Sequence, residues 1–295
     1  MKGYIILTWL FSIAFNSVSL TIKAQPDWKL LRFTSSHTAF PDTNRRDGYT
    51  YDGKFFDAAT HYTDSSALVV IPKYLQKDGF IDLVFWFHGW NNNIDSMLSF
   101  FQLAEQFSRA HTGSVLVLAE TAKDAPDSYA GKLEQPAVFS ALVNDIINAL
   151  KKQKYISANC LPGNITLAGH SGAYRAIAYI LQNAGTTIHE VDLFDALYSQ
   201  TDKFINWIQK DGSNRFINWY TNHGGGTDEV SAQMMGELKK INIPFASMEE
   251  EDITKSLIQS ARVLFVHSPR EHNDIIHNPD HFRLLLESTP EKMHR

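Results

Sequence analysis

Residues 164–173 read Asn-Ile-Thr-Leu-Ala-Gly-His-Ser-Gly-Ala, a short apolar run that leads directly into a serine between small or polar neighbours. The next residues carry apolar side chains at helical spacing, at positions 173, 176, 177, 180 and 181. A serine on a tight turn between a strand and a helix is held exposed, where a neighbouring base can activate its hydroxyl. The stretch therefore predicts that Ser171 is a nucleophile at the carboxyl end of a strand.

The rest of the chain alternates short apolar runs with helical periodicities, which is typical of a mostly parallel sheet covered by helices on both faces. The predicted strands are Ala67–Ile71, Ile81–Phe87, Ser114–Ala119, Ile165–Ala168, Glu190–Phe194, Arg215–Tyr220 and Arg262–Val266. The predicted helices are Asp95–Arg109, Gln135–Gln153, Gly172–Gln182, Ser199–Ile208, Ser231–Lys240 and His281–Ser288. We expect one doubly wound α/β domain over residues 25–295, with residues 25–66 as an N-terminal extension packing on it.

Composition argues against several classes of protein. The chain has 295 residues, of which 44% are hydrophobic, so it is long enough to bury a large core. Its net charge is −5 and its basic residues are not clustered, which disfavours nucleic acid as a partner. Cys160 is the only cysteine, which excludes an internal disulfide and a zinc site of the CxxC type. We expect no metal.

The first 24 residues resemble a secretory signal peptide. Lys2 supplies a positive charge, and an apolar run follows from Tyr4 to Phe15, too short to span a membrane easily. Cleavage is expected after the small residues around Ser17 and Ser19 or after Ala24. The sequence therefore predicts a secreted or periplasmic protein without stable membrane insertion; an uncleaved membrane anchor is the alternative.

A second chemical feature lies at the end of the predicted strand Ile81–Phe87, where the chain continues His88-Gly89-Trp90. Acyl transfer places negative charge on a carbonyl oxygen, and backbone N–H groups fixed beforehand stabilise that charge. We assign the amides of Trp90 and Gly172 as the donors of this oxyanion hole. The alternative is that His88 and Gly89 simply end a strand.

These motifs together resemble the α/β-hydrolase superfamily. The resemblance rests on Phe87–Trp90, on Gly169–Ala173 and on the strands between them, and it covers about residues 67–288. Ala173 stands where the usual pattern has glycine. Within the superfamily the chain is similar to poorly characterised secreted bacterial serine hydrolases that carry Tyr-Arg after the serine motif and Phe-Asp-Ala-Leu-Tyr, here residues 174–175 and 194–198.

The resemblance implies a catalytic triad in the chain order serine, acid, histidine, without a cofactor. The histidine is expected after the last strand, Arg262–Val266, where His272, His277 and His281 follow. His281 shares a helix face with Leu284 and Leu285, and His277 precedes that helix, so we favour His272 as the general base, with His277 next. The spacing of the three histidines is a weak metal signal.

Two residues compete for the role of the triad acid. Asp195 directly follows the strand Glu190–Phe194, the first strand after the serine. Most superfamily members place the acid after the second, which here makes Asp228 the competitor. We favour Asp195, because several glycines separate Asp228 from its strand.

The function that follows is a serine hydrolase that cleaves an acyl ester through a covalent acyl-enzyme. The interval between Asp195 and the strand Arg215–Tyr220 is too short for a large lid domain, so we expect an open cleft for a small-molecule or polymer-end acyl substrate. The alternatives are an amidase or peptidase with the same triad and a non-catalytic binding protein on a hydrolase fold.

Overall fold

Eleven strands and nine helices are present in the described part of the chain, residues 25–223 and 225–289 of a computed structural model. The strands are β1 (Trp28–Thr34), β2 (Tyr49–Tyr51), β3 (Lys54–Phe56), β4 (Ser66–Pro72), β5 (Phe80–Phe87), β6 (Val115–Ala119), β7 (Leu161–His170), β8 (Glu190–Phe194), β9 (Arg215–Thr221), β10 (Ala246–Glu249) and β11 (Val263–Ser268). The predicted signal peptide, residues 1–24, lies outside the described residues.

The helices connect these strands. They are α1 (Ala58–His61), α2 (Ile94–Phe100), α3 (Leu103–Ala110), α4 (Val138–Lys152), α5 (Tyr174–Asn183), α6 (Thr201–Lys210), α7 (Thr227–Lys240), α8 (Lys255–Ser260) and α9 (His281–Ser288). No helix in the described ranges is long and apolar enough to cross a membrane.

Nine of the strands form one sheet, in the order β1-β4-β6-β5-β7-β8-β9-β11-β10. All neighbours from β6 to β10 pair in parallel, whereas β4 is antiparallel to both β1 and β6. The prediction of a mostly parallel sheet is therefore confirmed. Because parallel strands end at the same edge, the loops after β5, β7, β8 and β11 meet there.

Helices cover both faces of this sheet, as the sequence predicts. Along β5 the side chains alternate: Leu83 and Phe85 belong to one hydrophobic cluster, whereas Val84 and Trp86 belong to the other. Helices α4 to α7 supply the first cluster, and α2, α3, α8 and α9 supply the second. Between β8 and β9 the chain forms only the ten-residue α6, so no large lid occurs there.

The structure differs from the sequence prediction in several places. Residues 28–34, expected to lie in an extension that packs on the domain, form β1, the edge strand of the sheet itself. The predicted helix Asp95–Arg109 is divided into α2 and α3, because Gln102 adopts a left-handed conformation with φ 51°. The hairpin β2–β3, the strand β10 and the short helices α1 and α8 were not predicted.

Candidate active site

Ser171 lies at the point where β7 ends and a 3₁₀ turn, Ser171–Ala173, leads into α5. Its φ of 57° is in the left-handed region, which is unfavourable for a side chain with a Cβ atom and is typical of a strained nucleophile turn. Gly169 lets strand and helix approach, because a Cβ atom there would lie 2.6 Å from the Cβ of Ala173. The local sequence thus presents a partly exposed hydroxyl at the sheet edge.

The loop after β5 reaches the same point. A Cβ atom on Gly89 would lie 2.5 Å from the Cβ of Ser171 and 3.0 Å from the backbone nitrogen of Gly172, so only glycine allows this approach. Trp90 follows directly, and its ring packs on the Cα of Gly172, where a Cβ would lie 2.6 Å from Trp90 Cδ1. The structure therefore places Trp90 and Gly172, the residues that carry the two predicted oxyanion donors, in contact with each other beside Ser171.

His88 holds this loop in place through hydrogen bonds of both its ring nitrogens. Its Nδ1 atom donates to the carbonyl oxygen of Gly89 at 2.8 Å, and its Nε2 atom lies 2.7 Å from Glu120 Oε1 and 2.8 Å from Thr121 Oγ1. In a trans peptide the carbonyl and the next N–H point in opposite directions, so the Trp90 N–H points away from the His88 ring. Burial alone lowers the pKa of His88, but hydrogen bonding and the charge of Glu120 outweigh it and raise this pKa.

Asp195, which follows β8, and His272, in the loop after β11, meet at the same edge of the sheet. The Asp195 Oδ2 atom lies 2.5 Å from His272 Nδ1, and the Asp195 side chain is fully buried. Its other oxygen accepts hydrogen bonds from the Thr221 amide at 3.2 Å and from the Thr227 hydroxyl. A carboxylate bound in this way holds the imidazole in one tautomer, with Nε2 available as a base.

The competing candidates for the acid and the base, Asp228, His277 and His281, lie in different environments. Asp228 lies in the first turn of α7, and in the described residues the carboxylate at His272 Nδ1 is that of Asp195. The His277 ring packs against Phe100 and Phe101, with centroids 5.4 and 5.6 Å away. The His281 ring stacks on Trp219 at 4.2 Å and bonds the carbonyl of Ile275, and burial lowers its pKa.

The loop that carries His272 is held at several points. His170 Nε2 donates to the carbonyl oxygen of His272 at 3.0 Å, and the two rings lie 4.4 Å apart. Burial, and next the charge of His272, lower the pKa of His170 to about 3, so this ring is neutral. At the start of the loop, Arg270 Nε donates to Glu250 at 2.6 Å, and Ser268 also donates to Glu250.

Three residues near the site were not predicted from the sequence. Glu120 directly follows β6, the parallel neighbour of β5, so its place at the same edge as His88 could have been inferred from strand order. Ser128, in the loop after β6, accepts a hydrogen bond from Trp90 Nε1 at 2.7 Å. Tyr198 is hydrogen-bonded to Ser171, and burial together with the charge of Asp195 raises its pKa.

No group of three or more His, Cys, Asp or Glu side chains in residues 25–223 and 225–289 is arranged to hold a metal ion. The three histidines after β11 have different surroundings. His272 contacts Asp195, whereas His277 and His281 pack against aromatic rings.

Known structures resemble this fold at low sequence identity. The feruloyl esterase module of Clostridium thermocellum complexed with sinapinate has a TM-score of 0.57 and 11% identity, over 92% of this chain and 93% of that one. An S-formylglutathione hydrolase from Agrobacterium tumefaciens has a TM-score of 0.50 and 10% identity, over 91% and 98%. A ferulic acid esterase from the anaerobic fungus Anaeromyces mucronatus has a TM-score of 0.50 and 14% identity, over 86% and 98%.

Sequence comparison adds nothing to this similarity, since no protein-family model matches the chain and no curated protein matches it. At identities of 10 to 14% the similarity concerns the fold alone. The neighbours share the mostly parallel sheet with helices on both faces. The fold that the sequence motifs predict is therefore confirmed. This chain has the α/β-hydrolase fold.

Proposed function

We propose that this protein is a serine hydrolase that cleaves carboxylic esters through a covalent acyl-enzyme. The observation that carries the proposal is the buried Asp195 carboxylate, 2.5 Å from His272 Nδ1, at the sheet edge where Ser171 adopts a left-handed φ of 57°. A strained, partly exposed serine and an imidazole oriented by a buried carboxylate lie at the same edge of the sheet. It is the arrangement that nucleophilic catalysis needs.

In the first half of the proposed reaction, Ser171 Oγ attacks the ester carbonyl carbon while His272 Nε2 takes the serine proton. The negative charge on the carbonyl oxygen is stabilised by the amides of Trp90 and Gly172. The intermediate then collapses: the bond from carbon to the alcohol oxygen breaks, and His272 returns the proton to the departing alcohol.

In the second half, a water molecule attacks the acyl carbon of the ester formed with Ser171. His272 accepts a proton from this water and passes it to Ser171 Oγ as the acid departs, which restores the starting state. Asp195 remains ionised and stabilises the imidazolium in both halves. Every proton that moves is exchanged between His272 and a reacting oxygen atom.

The fold neighbours support an ester as the substrate, because two of those described are esterases of ferulic acid derivatives by name. The single helix α6 between β8 and β9 supports an open cleft, which suits small acyl esters or acylated ends of polymers. We further propose that residues 1–24 direct export, on the grounds of their charge and apolar pattern. Mass spectrometry of the mature N-terminus in culture fluid or periplasm tests the export proposal.

Labelling with a fluorophosphonate tests the hydrolase itself. We expect stoichiometric reaction of the wild type at Ser171, loss of reaction in Ser171→Ala, and unchanged reaction in Ser213→Ala. Ser213 is the matched control, since it lies in the turn before β9, at the opposite edge of the sheet. An unlabelled wild type would mean a binding protein rather than an enzyme.

A turnover screen then distinguishes esters from amides. Purified protein is assayed on short acyl esters, acetylated sugars and aminoacyl amides, with Ser171→Ala as the blank. We expect ester hydrolysis that Ser171→Ala abolishes. Hydrolysis of amides alone would support the amidase alternative instead.

A further inference from the structure

Two exposed aromatic side chains stand together beside the proposed active site. Tyr51 is 39% exposed and Trp90 is 38% exposed, and their ring centroids are 5.1 Å apart at an interplanar angle of 70°. We call this pair the aromatic wall. Large aromatic side chains that remain exposed next to each other beside a reactive residue are typical of a binding surface rather than of packing.

The aromatic wall is directly connected to the nucleophile turn. The Trp90 ring packs against Gly172, the residue after Ser171, so closely that no side chain fits between them. Tyr51 adds a second exposed ring to this surface, packed edge-to-face against Trp90. A substrate group of one ring, attached near the scissile ester, would therefore meet this surface when the ester carbonyl lies at Ser171.

Tyr51 is held by a rigid element. It lies in the hairpin β2–β3, whose turn residues Asp52 and Gly53 have φ values of 47° and 72°, as a type I′ turn requires. Tyr49, on the same strand face, stacks 6.5 Å from Tyr51, and the Arg45 guanidinium lies 4.4 Å from the centre of the Tyr49 ring. The wall is thus fixed before substrate binds, which reduces the entropic cost of binding.

Trp90 Nε1, Arg45 Nε and the Asp127 carboxylate, three polar groups near the wall, have partners within the protein. Trp90 Nε1 donates to Ser128 Oγ at 2.7 Å, and Arg45 Nε donates to Asp127 at 2.7 Å. The second oxygen of Asp127 accepts the Tyr129 amide at 2.9 Å. A sugar ring would need hydrogen-bonding groups directed at its hydroxyls, whereas a flat aromatic ring needs only the π faces and edges that the wall presents.

We propose that Tyr51 and Trp90 form a subsite for an aromatic ring, so that the preferred substrates are esters carrying an aryl group. This inference rests on the proposed ester hydrolase function and adds the substrate class to it. Tyr51 is the specificity-determining residue, because it contributes a ring without belonging to the turn that carries the reaction.

The test is a ratio of specificities. We would measure kcat/KM for methyl cinnamate and for methyl hexanoate, and compare the ratio of the two in wild type, Tyr51→Ala, Tyr51→Phe and Phe55→Ala. Phe55 is the matched control: it is 60% exposed on the same hairpin, but it pairs with Thr50 and so lies on the face opposite Tyr51.

We expect the wild type to prefer the aryl ester and Tyr51→Ala to lower the ratio about three- to tenfold, the range for one aromatic contact. Tyr51→Phe and Phe55→Ala should keep the ratio within twofold. Three results would overturn the aryl subsite: a ratio unchanged in Tyr51→Ala, a ratio lowered equally in Phe55→Ala, or a wild type that prefers methyl hexanoate. Failure of the function itself is separate, because then neither ester is hydrolysed and Ser171 is not labelled.

Discussion

The Nε2 atom of His88 lies 2.7 Å from the Oε1 atom of Glu120, and the two side chains are only 2% and 1% exposed. This buried pair lies next to the peptide between Gly89 and Trp90. The carbonyl oxygen of that peptide accepts a hydrogen bond from Nδ1 of the His88 ring. Removing one partner of a buried ion pair leaves the other uncompensated, which costs about 3 kcal/mol or more. We therefore expect Glu120→Gln to lower the free energy of unfolding by about 3 kcal/mol and to reduce kcat about tenfold, through loss of oxyanion stabilisation.

The loss of stability in Glu120→Gln should depend on pH in a defined direction. Folding raises the pKa of His88, so the pair stabilises fully below the unfolded value of about 6.5, and its contribution is lost as the pH rises through the raised value. Urea unfolding of wild type and Glu120→Gln at pH 6 and pH 9 measures this. The difference between the two proteins should be larger at pH 6; an equal difference at both values would contradict an ionised His88.

The proposed role of Asp195 as the triad acid leads to a second prediction. Asp195→Asn should reduce kcat about 10⁴-fold, because an amide in place of the carboxylate favours the wrong tautomer of His272. Asp228→Asn is the matched control, since this residue lies in the first turn of α7, and we expect kcat within a few-fold of wild type. Steady-state assays on one activated ester suffice. If the two variants exchanged these results, Asp228 would be the acid.

The central strands could be predicted from the sequence because they are buried on both faces. Residues 115–119 are buried throughout, and their apolar run gives β6 bounds within one residue of the prediction. The edge strand β1 was missed for the opposite reason: Lys29, Leu30 and Arg32 face solvent, so only a weak alternation remains. Charged residues on an edge strand also oppose pairing with another chain, which explains their presence there.

The candidate site was only partly predictable. Ser171 and Asp195 each follow a recognisable strand, and parallel strands end at one edge, so strand order alone brings them near each other. Tyr51 belongs to a short hairpin in a polar segment with no strong pattern, and its contact with Trp90 depends on tertiary packing. Local periodicity contains no information about such a contact.

Gly89 offers a steric test of the proposed oxyanion loop. A Cβ atom there would lie 2.5 Å from the Cβ of Ser171, so Gly89→Ala must push the loop or the nucleophile turn aside. We expect kcat/KM to fall about 100-fold, the effect of removing one oxyanion donor, and fluorophosphonate labelling to slow in parallel. Overpacking should cost only about 1–3 kcal/mol of stability, so the variant still folds.

The control for this variant is Gly212→Ala, at a turn where an added Cβ meets no atom within 4 Å. It should leave both activity and labelling unchanged. If Gly89→Ala retained wild-type kcat/KM while folding normally, the close approach of this loop to Ser171 would have no role in the reaction.

The buried, neutral ring of His170 leads to the last prediction, which concerns how the free energy of unfolding changes at acid pH. Its pKa is lowered to about 3 in the folded protein by burial, whereas an unfolded histidine titrates near pH 6.5. Between these values the unfolded chain binds a proton that the folded chain does not, so the free energy of unfolding decreases as the pH falls. This one residue should remove about 2 kcal/mol between pH 7 and pH 5.

His170→Gln isolates that contribution, because glutamine keeps an N–H donor near the carbonyl of His272 but does not titrate. Urea unfolding of both proteins at pH 7 and pH 5 gives four free energies. The wild type should lose about 2 kcal/mol more than the variant over this interval. An identical loss in both would mean that His170 is protonated in the folded protein, and it would then repel the imidazolium that the proposed reaction forms on His272, 4.4 Å away between ring centres.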